Sequence, residues 1–452
     1  MCVFPALCRV AQLVSHLPFF HRADEFVKLV RENQVVIVAG ETGSGKSTIA
    51  PLALLNSGLA SGGKIGVTES RVVVTKRLAK WVSKLDGTYL GEVVGYQVGM
   101  DRQLDELVRL VYETEGIVLN QMLTSPKLGK YKILVIDEVH ERTINVDVLM
   151  ARLKKILDVR GDLRVVIMSA TMDVHRFSEY FDGAPIMQVA GRTFPLEIRY
   201  AHGTPRDLEE SIEWCADKVV EILQGDEPGD ILCFLPDENS IKTMIRLLEK
   251  DLLPKAGVEE VRLLPLYGQQ SEEEQDLAFV EEGPRRVILS TNIAETGVTV
   301  EGVVHVVDTG FIKQTMYISA KMSGLQIVEH SQAGVDQRAG RSARTQPGIC
   351  HRLYTLRNYQ SRVKFTEPEI RRSSLNQTLL DLRCGGISFE EIVALEFMDA
   401  PELKQWHEAN QYLKILGAFD HDGNVTELGR KMHALHVDPM IAKIILEGVS
   451  RG

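Results

Sequence analysis

The chain has six cysteines in 452 residues, Cys2, Cys8, Cys215, Cys233, Cys350 and Cys384, and no two form a C-x-x-C pair. That absence removes the usual sequence frameworks of a zinc site or a disulfide scaffold, and the six read as reduced thiols, mostly in cores. No stretch approaches the roughly 20 continuous apolar residues that a membrane span needs. Residues 1–17 carry only Arg9 where a secretory signal has a basic cluster. The expectation is a soluble protein with no membrane association that stays inside the cell, in nucleus or cytoplasm. Excess positive charge is lacking too: 52 Lys+Arg against 62 Asp+Glu leaves a net charge of −10. Bulk electrostatic coating of nucleic acid normally needs a basic domain or stripe, so any grip on nucleic acid here has to be local. Repeats, low-complexity tracts and long linkers are also missing. Only 224–230, QGDEPGD, reads as a turn-rich break before a new strand.

What is present is an ordinary globular composition, 44% apolar, over a length that suits about three domains. Short β-branched runs alternate with longer helical patterns, the signature of an α/β protein whose parallel sheets are covered by helices on both faces. Two such blocks stand out. The first places strands at 34–39 (QVVIVA), 132–136 (KILVI) and 164–168 (RVVIM). The second places them at 230–235 (DILCFL), 261–266 (VRLLPL), 286–289 (RVIL) and 303–307 (VVHVV). After Tyr354 helical patterns dominate.

Between the first strand and an apparent helix lies Gly40-Glu41-Thr42-Gly43-Ser44-Gly45-Lys46-Ser47-Thr48, a complete G-x-x-x-x-G-K-[ST] followed by threonine. Its glycines let consecutive backbone N–H groups turn around phosphate oxygens. Lys46 offers a point charge to the β/γ-phosphates, and the Ser47 hydroxyl suits Mg²⁺. The plain alternative is a glycine-rich turn without a ligand. The strand at 132–136 ends in Asp137-Glu138-Val139-His140, at the sheet edge where doubly wound folds bind ligands. Asp137 is placed to hold Mg²⁺ and Glu138 to orient and deprotonate a water. Alone, such a tetrapeptide is a solvated turn; downstream of a phosphate loop it reads as a site. Arg338, Arg341 and Arg344 recur in steps of three, which shares a face if that stretch is helical. By themselves they suit a surface helix, and with the phosphate loop they read as fingers toward a γ-phosphate.

With GETGSGKS (40–47), TEG (114–116), DEVHERT (137–143), MSATMD (168–173), GRTFPLEI (191–198), LSTNIAET (289–296) and QRAGRSAR (337–344), the chain resembles the DEAH-box ATP-dependent RNA helicases of superfamily 2 over nearly its whole length. PEIRRSSL (368–375) and LGAFDHDGNVTELGRKM (416–432) are similar to that family's winged-helix region. The resemblance implies two tandem RecA-like P-loop lobes, 18–187 and 188–356, after an extension at 1–17. A winged-helix region at 357–430 and the start of a ratchet-like helical domain at 431–452 would follow. It also implies ATP and Mg²⁺ as cofactors, single-stranded RNA or RNA–protein complexes as partners, and 3′-to-5′ translocation. An activator protein would dock on the C-terminal region. Gln337 would help place the water, and Arg341 and Arg344 would touch the γ-phosphate. Ser169 and Thr171 would couple nucleotide to RNA, and Thr291, Asn292 and Thr296 would lie by nucleotide or RNA backbone.

Departures from the family pattern carry their own expectations. The adenine-stacking pair falls on Trp81 and Phe279, where the family has arginine and phenylalanine, and an indole stacks on a purine as well. A core tryptophan is the alternative. The RNA-gripping TQPRR reads Thr68-Glu69-Ser70-Arg71-Val72, and the hook-turn arginine is Gly99; both changes should weaken phosphate contacts. Val139 replaces alanine, and Ala343 replaces glycine and should stiffen a helix. Residues 311–330 suit a hairpin with arms at 313–319 and 325–328. The chain ends where the family continues into a helical bundle and an OB-fold, the expectation for a fragment or a minimal member. Three readings stay open: an active RNA helicase or remodeller, a nucleotide-switched RNA clamp without unwinding, and a DNA-directed motor.

Overall fold

After Gln34 the run Val-Val-Ile-Val-Ala has nothing polar to offer water on either face, and it forms β1 (Val35–Gly40) inside a sheet. The computed structural model describes residues 11–450 except 42, 171–172, 192–193, 259, 297–299 and 320–321, with side chains omitted at 318, 319, 322 and 323. Thr42, Thr171, Cys2, Cys8 and most of the 1–17 extension lie outside the described residues. From β1 the chain passes through α1 (Lys46–Asn56), β2 (Lys64–Glu69), α2 (Val72–Asp86), β3 (Val94–Val98), β4 (Asp101–Gln103) and β5 (Leu110–Thr114). It goes on through α3 (Glu115–Thr124), β6 (Tyr131–Ile136), α4 (Ile144–Leu157), β7 (Arg164–Ser169) and β8 (Ile186–Val189).

These strands form an eight-stranded sheet in the order β4-β3-β5-β2-β6-β7-β1-β8. It is parallel except for the antiparallel pair β3–β4. Successive residues of a strand face opposite sides. Val36, Val38, Ile65, Val67, Ile133 and Val135 pack with Ile49 and Leu52 of α1. Ile37, Leu134, Ile136 and Ile167 pack on the other side with Leu149 and Leu153 of α4. The strands expected at 34–39, 132–136 and 164–168 are there. The others escape the pattern because a segment such as Lys-Ile-Gly-Val-Thr-Glu is no continuous apolar run; its neighbours bury it.

Two compact units divide the chain: Met1–Ala190 with Thr315–Gly324 and Glu367–Gly452, and Gly191–Gln314 with Leu325–Thr366. The second unit holds β9 (Leu196–Tyr200), α5 (Leu208–Gln224), β10 (Asp230–Phe234), β11 (Val261–Leu266), β12 (Arg285–Ser290) and β13 (Val303–Asp308). After β14 (Phe311–Ser319) and β15 (Met322–Glu329), which pair only with each other, come α6 (Gln332–Ala339) and β16 (Gly348–Arg352). Its sheet is parallel in the order β11-β12-β10-β13-β16-β9. The four expected strands lie side by side in it, with β11 at the edge, and the hairpin forms where expected.

Beyond Arg352 helices take over, among them α7 (Asn376–Cys384), α8 (Leu403–Ile415), α9 (Glu427–Ala434) and α10 (Pro439–Ser450). Strand pairing there is limited, among the described residues, to the bridge Phe419–Val425. Trp406, Leu413, Phe419 and Met432 share a core that takes in Val148 of α4. No described helix is long and apolar enough to cross a membrane.

Candidate active site at the carboxyl edge of the first sheet

The loop after β1 depends on its glycines. Gly43 and Gly45 have φ of +87° and +92°, in the left-handed region that side chains avoid. At Gly45 a Cβ would also lie 3.1 Å from Leu17 Cβ. That turn delivers Lys46 and Ser47 to the start of α1, whose N-cap, Gly45, makes no side-chain cap hydrogen bond. The first-turn N–H groups of a helix seek acceptors, and with the helix dipole they favour an anion. Thr48 Oγ1 donates to Gly45 O at 3.2 Å, and Tyr112 of β5 donates to Ser47 O at 3.0 Å, fixing the turn from both sides. Gly40 leaves room for the Ser44 hydroxyl, 2.9 Å from where its Cβ would be, and Glu41 is exposed.

Opposite this turn β6 ends in two buried carboxylates, Asp137 and Glu138. Glu138 holds φ of +50°, an uncommon conformation for a side-chain-bearing residue. It places Oε1 3.6 Å from Lys46 Nζ. Asp137 accepts from the backbone N–H of Glu138 at 2.8 Å and lies beside the Ser47 hydroxyl, while its Oδ2 is buried without a hydrogen-bond partner. Burial, then the charge of Glu138, push Asp137 up to about 7, with Lys46 and Ser47 opposing. A buried carboxylate with an orphaned oxygen beside a serine hydroxyl fits a divalent cation such as Mg²⁺, which takes oxygen ligands. His140 Nδ1 lies 3.4 Å from Glu138 Oε2 and accepts from Ala170 N–H at 3.3 Å, joining the acidic turn to the segment after β7.

In the second unit α6 ends at Ala339, so Arg338, Arg341 and Arg344 do not share a helical face as their spacing suggested. Gly340 starts a turn, and the loop presses on β16 so closely that a Cβ at Gly348 would lie 2.1 Å from Ser342 O. Arg338 is no finger: it is fully buried, paired with Glu295 and, at 2.8 Å, with Asp308 Oδ1. Arg341 is buried, and Gln337 and Arg344 are half-buried. Ala343 lies past the helix and stiffens none; its carbonyl accepts from Phe194 N–H at 3.2 Å. Thr291 N–H donates to Leu266 O at 3.1 Å, Asn292 opens a short 3₁₀ turn, and Thr296 is buried.

The family described as DEAD/DEAH box helicase matches residues 22–179, and the helicase conserved C-terminal domain matches 214–346. The winged-helix helicase associated domain (HA2) matches 411–432. The chain is 38% identical over 445 residues to the ATP-dependent RNA helicase HrpA homolog of Haemophilus influenzae, covering 96% of this chain and 34% of that protein. The chain carries both helicase domains and is homologous to the DEAH-box helicases. The crystal structure of the Escherichia coli DEAH/RHA helicase HrpB superposes with a TM-score of 0.84 at 31% identity, over 94% of this chain and 54% of that one. The chain therefore spans about a third to a half of the length of these relatives.

Against that family pattern the chain's departures acquire positions. Trp81 lies on α2 and is 40% exposed, with Lys84 Nζ 5.6 Å from its ring centre, so it is not a core residue. Phe279 ends a 3₁₀ turn in the second unit and packs partly on the core of Leu264 and Ile288. Arg71 pairs with Glu141 at 3.3 Å, and Val72 is 47% exposed. Gly99 turns between β3 and β4 at φ +54°, where a side chain would be strained. Glu69 is not a surface carboxylate set against RNA: it is 2% exposed, and burial, then the charges of Asp137 and Glu138, push it well above the usual carboxylate range. Val139 is fully buried. Sequence reasoning passed over Arg142, which bonds Asp147 at 2.7 Å and Asp399 at 2.7 Å and so ties the DEVHERT segment to the C-terminal region. Its signal was its place in the motif; its partners are remote in sequence.

Proposed function

We propose that the chain hydrolyses ATP to ADP and phosphate and couples this to movement along single-stranded RNA or to remodelling of RNA–protein complexes. The observation that carries the reading is the approach of Lys46 to Glu138 across the turn that also sets Ser47 beside Asp137. Backbone N–H groups of 40–48 and the Lys46 ammonium hold the β- and γ-phosphates. Ser47 and Asp137 would hold Mg²⁺, which would supply charge neutralisation to the phosphates. Glu138 orients a water and takes its proton as the oxygen attacks. Following the family resemblance, Gln337, Arg341 and Arg344 would act on the γ-phosphate, and Trp81 and Phe279 would stack the adenine. A relative named as an ATP-dependent RNA helicase supports RNA as the track, and 3′-to-5′ direction and an activator at the C-terminal helices follow the resemblance.

A second reading, a nucleotide-switched clamp that binds RNA without unwinding, is favoured by the Arg71–Glu141 pair and the glycine at 99. ATP turnover by the purified chain, with and without single-stranded RNA or DNA, tests both. Turnover that rises with RNA and is lost in Lys46→Ala and Glu138→Gln is the expected result. Strand displacement on a duplex with a 3′ overhang then separates motor from clamp. Turnover insensitive to those substitutions would overturn the site.

A further inference from the structure

The motif readings leave Glu69 without a role. It closes β2, and the register Thr68–Ile136 between parallel β2 and β6 carries on to place Glu69 beside Asp137. Asp137 N–H donates to Thr68 O at 3.2 Å, which extends the ladder by that step. Register partners on adjacent strands sit about 4.8 Å apart and point to the same face. That face is the one carrying Ile65, Val67, Ile133 and Val135, under α1, whose first residues are Lys46 and Ser47. Tyr112, the partner of Val67 on β5, lies on the same face and reaches Ser47 O. Glu69 is thus built into the floor of the phosphate loop. Its Oε1 is buried with no hydrogen-bond partner, as is Asp137 Oδ2. Glu69, Asp137 and Glu138 bring three buried carboxylates to the neighbourhood of the Lys46 ammonium. A buried group with two excess negative charges is stable only with protons or a cation.

We propose that Glu69 is a positioning residue of the metal pocket, holding through water the divalent cation that Ser47 and Asp137 bind. This rests on the nucleotide-site reading above. Mg²⁺ dehydrates reluctantly and keeps several waters, so a carboxylate one step behind its direct ligands anchors those waters and raises affinity. A glutamine, the residue of the family pattern at this position, would anchor them without the charge.

The test compares the full 452-residue chain with its Glu69→Gln and Lys46→Ala variants. Mn²⁺ binding is titrated by electron paramagnetic resonance with ADP present, and melting is followed in EDTA and again with Mg²⁺ and ADP. Glu69→Gln should weaken Mn²⁺ about tenfold, in the range set by groups behind direct ligands. In EDTA it should melt at or above the unsubstituted chain, because an unpaired buried carboxylate is gone, while its gain from Mg²⁺ and ADP shrinks. Unchanged Mn²⁺ affinity, or a lower melting point in EDTA with an unchanged gain, would make Glu69 structural and overturn the proposal. If the unsubstituted chain takes up no Mn²⁺ with ADP, or Lys46→Ala binds ADP equally well, the nucleotide-site reading fails and this inference falls with it.

Discussion

Glu115, the acid of the TEG segment, is 3% exposed and accepts a hydrogen bond from Thr143 at 2.7 Å, leaving its other oxygen orphaned. Burial outweighs that bond and raises the carboxyl from 4.5 to about 8. The folded protein therefore keeps a proton here that the unfolded chain releases above about 4.5. Stability from this group is complete below that value and is lost as pH rises toward about 8. Glu115→Gln should abolish this loss, so melting curves of variant and parent should diverge in the variant's favour as pH rises from 5 to about 8. At this scale the sequence was legible where chemistry is local. Lys46, Ser47, Asp137 and Glu138 could be named because each lies within a contiguous motif. Arg142 and Glu69 could not, since the groups that give them meaning come from other strands and helices.

The helix α6 shows how an element can mislead. Steps of three from Arg338 to Arg344 suit a helix, yet the helix stops at Ala339 because Gly340 and the close packing of Ser342 on Gly348 turn the chain away. The turn leaves Arg338 locked against Glu295 and Asp308, a pairing that holds Glu295 down at about 2 against the effect of burial, with His330 assisting. Arg338→Ala strands two buried carboxylates and should cost about 3–5 kcal/mol in denaturant unfolding. A loss under about 1 kcal/mol would mean the pair is screened by water. Strands tell the complementary story. Those with continuous apolar runs were readable, whereas β2 and β9 carry polar or exposed positions and become strands only through their neighbours.

For the whole molecule, a net charge of −10 means that any RNA would have to be held by few cations, and the structure pairs one candidate, Arg71, with Glu141. Val72 at the start of α2 is exposed, so Val72→Arg restores a cation without disturbing a core. It should tighten single-stranded RNA and steepen the dependence of log K on log salt by about 0.7, as one added phosphate contact would. An unchanged slope would place the track elsewhere. Composition, strand patterning and contiguous motifs determined by themselves that this is a two-block parallel α/β protein with a phosphate loop, because backbone turns and alternating burial are properties of short segments. Only the tertiary structure decided that Glu69 lies beneath the phosphate loop, that Arg142 pairs with Asp399 in the C-terminal region and that Arg338 is structural. Each depends on strand register and buried charge pairing between residues far apart in the chain, which no local spacing encodes.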